Sequence, residues 1–180
     1  MIVSLTTTTE RAECADGVRF ERFLSWRGHG WISLLMRLYL GYIFLLACWH
    51  KILDPAGFAV DVATYQMLPL VTLNFFALVL PWSELFAAIM IIAGWRVKAS
   101  ALLIAGMMVM FMIGLGYALY LGLDTGCGCF ASEGVEADPI SWMTMARDAF
   151  WLALALYVLF LDRRPIGVDG FLARRAEAGA

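Results

Sequence analysis

Residues 99–121 read "ASALLIAGMMVMFMIGLGYALYL", 23 consecutive positions without a charged side chain. At 1.5 Å per residue a helix of that length reaches about 34 Å, enough to cross a hydrocarbon core of about 30 Å. Length and apolarity together make the stretch a membrane span.

Working outward, three more stretches qualify: Trp31–His50, Leu70–Trp95 and Trp142–Leu161. The second contains Pro81, which predicts a tilt or kink there. The chain as a whole is 62% apolar with a mean hydropathy of +0.78, whereas soluble domains sit nearer half apolar. A formal net charge of −2 and the absence of any basic tract argue against nucleic acid as a partner. The opening "MIVSLTTTTERAECADG" lacks the basic start, apolar middle and small-residue cleavage site of a secretory signal, so it is expected to be retained.

The expected fold is an all-α membrane protein: a four-transmembrane-helix bundle occupying residues 31–162. An N-terminal segment (1–30) and a C-terminal tail (163–180) flank it. Basic residues set the orientation. Arg11, Arg19, Arg22 and Arg27 precede the first span, Arg96 and Lys98 join the second to the third, and Arg163, Arg164, Arg174 and Arg175 follow the fourth. The other two loops hold only Lys51 as a base. Both termini are therefore placed in the cytoplasm and both long loops outside. Each outer loop offers Asp followed by Pro, at Asp54–Pro55 and Asp138–Pro139, which is a helix-start signal. After Asp54, residues Phe58, Val62, Tyr65 and Leu68 share one face, which predicts a short amphipathic helix ending near Pro69. After Asp138 the chain is expected to enter the last span. Ala101/Ala105 and Ala118/Gly122 provide small residues at helix-packing spacing, and the methionine run "GMMVMFM" is read as packing.

Four cysteines carry the chemistry. Cys14 falls on the cytoplasmic side, where thiols stay reduced. Cys48 lies near the outer end of the first span, and Cys127 and Cys129 lie in the second outer loop, in "GLDTGCGCF". A bridge from residue i to i+2 is a weak staple, since chain-entropy arithmetic for so short a loop gives only about 1.5 kcal/mol. Strain makes such a bond easier to reduce, and Gly128 eases its closure. Redox exchange is the leading reading. A structural bridge between Cys48 and one loop cysteine, and a Cu(I) site of Cys127, Cys129 and His50, are the alternatives.

The "CGCF" following "GLD", together with "YQMLP" and "LPWSELFAAIMIIAGW", resembles the MauE family of methylamine-utilisation membrane proteins. "RLYLGYIFLLACWHKILDPAGF" is similar to the wider DoxX-like group, although Cys48 stands where a small residue is usual. The resemblance runs from about Arg37 to Asp148. It implies a protein of the bacterial inner membrane that supports disulfide formation in extracytoplasmic proteins alongside a thioredoxin-like partner, on a bundle likened to DsbB and vitamin K epoxide reductase. Cys127 and Cys129 are then the exchanging couple and Cys48 a third member. Two other functions stay open: a non-catalytic accessory subunit of a larger membrane complex, and a DoxX-type subunit linked to quinone.

Ionisable residues inside the spans need partners, because an unpaired one costs at least about 2.5–3.5 kcal/mol at mid-span. Arg37, Glu84, Arg147 and Asp148 form the expected charge network. Glu84 lies about 16 Å from the inner edge, within reach of Arg37 or Arg147 entering from opposite sides. Trp49, His50, Trp82 and Trp142 are candidates to line a cofactor pocket, with quinone the candidate cofactor, beside their ordinary role as interface anchors.

Overall fold

The computed structural model describes residues 29–67, 69–122, 141–162, 167–171, 175 and 179. Among the described residues five helices follow one another: α1 (His29–Leu53), α2 (Pro55–Thr64), α3 (Leu70–Ala93), α4 (Val97–Leu121) and α5 (Trp142–Leu161). All but α2 are long and apolar enough to cross a membrane. α1 packs chiefly on α3, and α4 on α5.

The bundle carries apolar residues on both its faces. Leu40, Phe44, Ala87, Ala88, Ile91, Ile104, Ala155 and Val158 fill the interior. Leu35, Val71, Phe75, Ile89, Leu102, Ile113 and Phe160 point outward and stay exposed. So continuous an apolar exterior suits lipid, where it costs nothing, and not water. Close approach is bought with small residues. A Cβ at Gly41 would stand 2.4 Å from Cγ1 of Ile92 and 3.2 Å from Cγ2 of Ile91, so glycine is what lets α1 lie against α3. Ala101, Ala105 and Ala118 are buried as their spacing predicts. Gly122 is a correction. It ends α4 in the left-handed conformation (φ 64°), and among the described residues nothing lies within 4 Å of where its Cβ would be, so it acts there as a helix stop and packs against none of them.

The helix boundaries follow from their caps. Asp54 caps α2, its Oδ1 accepting from the Gly57 N–H at 2.9 Å, with Pro55 at the first position. At the start of α5 the cap is Ser141, whose Oγ accepts from the Thr144 N–H at 3.3 Å; Asp138 lies outside the described residues. Gly94 closes α3 with φ 70°. The next helix is capped from far away: the Asp169 carboxylate accepts from Arg96 N–H at 2.9 Å and Val97 N–H at 3.0 Å. The Asp169 N–H returns a bond to the Gly94 carbonyl at 2.9 Å. Part of the C-terminal tail is thus fastened to the α3–α4 turn. Pro81 stands inside α3, where it can donate no N–H to the preceding turn, yet the helix runs on to Ala93.

α1 extends past His50 to Leu53, so Lys51 belongs to its last turn and not to the outer loop. α2 packs on α3 and buries Phe58. Phe58 meets the polar cluster described next.

Candidate functional site

Of the four cysteines, Cys48 is within the described residues; Cys14, Cys127 and Cys129 lie outside them. Cys48 is a free thiol, 1% exposed, its Sγ donating to the Leu45 carbonyl at 3.3 Å. It sits on the buried stripe of α1 formed by Arg37, Leu40, Gly41, Phe44, Cys48 and Lys51. Steps of three and four keep these residues on one face.

That stripe carries the pairing that sequence reasoning misplaced. Glu84, expected to meet Arg37 or Arg147, is held by Lys51: Nζ lies 2.9 Å from Oε1 and 3.0 Å from Oε2. Both residues are 1% exposed. The ammonium also lies over two aromatic rings, 5.0 Å from the centroid of Phe58 on α2 and 4.9 Å from that of Phe111 on α4. Four helices therefore converge on one cation. A span ending at His50 leaves Lys51 as a loop base, whereas the helix carries it into the bundle. The signal was present in the i, i+3, i+4 run through Phe44 and Cys48.

The expected network divides into three pairs. Arg37 is fully buried; its Nε and one terminal nitrogen donate to the Ile91 carbonyl at 3.1 and 3.0 Å. Its remaining terminal nitrogen is 3.7 Å from Asp162, just past the end of α5. Arg147 Nε is 3.3 Å from Asp148 Oδ1, and its guanidinium lies 5.0 Å from the Trp151 ring. Nearby in sequence to Arg37, His29 Nε2 and the Tyr157 hydroxyl are 2.8 Å apart. Glu84 and Asp148 do come together, since both line a small cavity of about 20 Å³ with Lys51.

A second cavity, about 350 Å³, lies between α2, α3 and α4. Tyr65, Met67, Phe76, Leu80, Met110 and Phe111 are among its walls, and its lining is almost wholly apolar. Trp49, His50, Trp82 and Trp142 are not among the residues that line it. The three tryptophans are exposed on the outer surface, and His50 is half-buried. Phe111 lines both cavities and separates the apolar one from the Lys51 ammonium.

Residues 29–161, the whole described bundle with its connecting loops, match the family described as Methylamine utilisation protein MauE. Among curated proteins the chain is similar to the methylamine utilization protein MauE of Paracoccus denitrificans, 27% identical over 124 residues. That alignment covers 68% of this chain and 66% of the relative, a little under two thirds of its length. No solved structure matches. With the family pattern running from the first turn of α1 to the last residue of α5, this chain belongs to the MauE family.

Proposed function

We propose that the chain is a membrane component of methylamine utilisation that exchanges thiols and disulfides with an extracytoplasmic partner. The reading is carried by Cys127 and Cys129, one residue apart, in a loop between spans whose opposite ends carry the arginines. In the exchange, a thiolate of the reduced partner attacks one sulfur of the Cys127–Cys129 disulfide, and the other loop sulfur leaves as thiolate. The partner's second thiolate then breaks the mixed disulfide. The partner departs oxidised, and the loop keeps two thiols. Two electrons and two protons must then pass to an acceptor. A quinone, if bound, would supply an acceptor for both, and Tyr65, Met67, Phe76, Leu80, Met110 and Phe111 would hold it in the apolar cavity, whose volume of about 350 Å³ suits a small-molecule site.

The test is a redox titration of the purified protein, with thiol alkylation and mass mapping at each potential. A two-electron Cys127/Cys129 couple should appear, more oxidising than the roughly −300 mV below which structural disulfides of secreted proteins fall. Loop cysteines as resistant to reduction as a structural bridge would instead favour a non-catalytic accessory subunit of a larger complex. Its signature is a complex that stays intact in a Cys127→Ala/Cys129→Ala double variant.

A further inference from the structure

α3 and α4 are joined by a short turn, yet their seam is more thinly packed than those of α1 with α3 and of α4 with α5. A groove of about 460 Å³ opens along it, walled by Phe76 and Leu80 from α3 and by α4 from Ala99 to Met110, with Leu102 and Gly106 between. We propose that this groove holds one acyl chain of an anionic phospholipid, whose phosphate meets the basic side chains of Arg96 and Lys98 at the groove's end.

The groove has the shape and chemistry of a lipid chain. From Ala99 to Met110 the helix rises about 16 Å, close to one leaflet's share of a hydrocarbon core of about 30 Å. The lining is almost wholly apolar, and Leu102 at its mouth is 61% exposed, so it opens toward the side of the bundle that suits lipid. A Cβ at Gly106 would meet nothing within 4 Å among the described residues, which leaves the groove's floor as open space.

The charge lies at the matching end. Lys98 stands one turn before Leu102 and so on the same helix face. It is exposed, as are Trp95 and Arg96 on the turn just before it. Among the described residues neither base has an ion-pair partner. Asp169, the acid fastened to this turn, directs both its oxygens to the N–H groups of Arg96 and Val97. Basic side chains at a span's end attract anionic headgroups, long basic side chains reach along apolar surface to that level, and tryptophan favours the same depth.

Native mass spectrometry of the full chain, released from detergent micelles doped equally with phosphatidylglycerol and phosphatidylcholine of different mass, tests the proposal. The wild type should retain one phosphatidylglycerol in preference. Arg96→Gln/Lys98→Gln should cut that preference by about fivefold or more. Gly106→Phe should remove the retained lipid by filling the groove, while melting in lipid-free detergent stays near wild type; Gly106→Leu makes the same test should the larger ring disturb folding. Gly106 also borders the cavity between α2, α3 and α4, so the headgroup comparison, and not loss of binding alone, identifies the ligand. Equal retention of the two lipids by the wild type overturns the proposal, as does a preference indifferent to loss of both bases. A preference that survives both Gly106 variants would be surface attraction alone and overturns the groove. Neither thiols nor quinone enter the measurement, so it stands or falls separately from the exchange reading.

Discussion

At the scale of single residues, Lys51 and Glu84 dominate. Removing one partner of a buried ion pair leaves the other charge uncompensated, which costs about 3–5 kcal/mol. Lys51→Met should therefore lower the melting temperature in detergent sharply, and Glu84→Gln less, since an amide still offers an acceptor. The double variant Lys51→Met/Glu84→Leu should recover most of the loss, because a buried pair replaced by apolar groups is often neutral or better. A double variant as damaged as Lys51→Met would mean that the pair is not what the single change disrupts. The sequence made Glu84 conspicuous but not its partner. A lysine at a span's edge looks like a loop residue until the buried stripe of α1 is followed through Cys48, and the choice between Arg37, Arg147 and Lys51 depends on which helices pack together.

At the scale of elements, the long spans were legible because charge-free runs of this length have one economical solution in lipid. The start of α2 was legible too, through Asp54–Pro55 and the spacing of Phe58 and Val62, but the helix stops at Thr64 and not near Pro69, with Gln66 in the left-handed conformation (φ 53°). Long-range caps were not. Asp169 lies 73 positions from Arg96, and no local pattern announces that a tail carboxylate will close the N-terminus of α4. Loss of an N-cap typically costs about 1 kcal/mol. Asp169→Ala should therefore show a modest fall in melting temperature, and Asp169→Asn a smaller one. If Asp169→Ala matches the wild type while Ser141→Ala, at the start of α5, is destabilised, the tail contributes no cap in the membrane. Asp162 taught the same lesson: its contact with Arg37 joins the two ends of the bundle's sequence.

For the whole molecule, the loop charges argue that Cys127 and Cys129 face outward and Cys14 inward. A membrane-impermeant thiol reagent applied to intact cells after reduction should label the loop cysteines and spare Cys14; Cys48, buried in α1, should react only on unfolding. Labelling of Cys14 alone would reverse the orientation. The cysteine motif itself was readable from residues 127–129, but spacing alone leaves its chemistry to experiment, since a pair one residue apart fits exchange, a strained bridge or metal capture. The central claim is exchange, and trapping tests it most directly. Replacing Cys129 with serine removes the resolving thiol, so Cys127 should hold its partner in a mixed disulfide, seen as a higher-mass band that collapses on reduction. Cys127→Ser provides the reciprocal, and comparison of the two identifies the attacking sulfur. A reducible adduct in either variant, absent when both cysteines are replaced, is the predicted result; no adduct in either would contradict it.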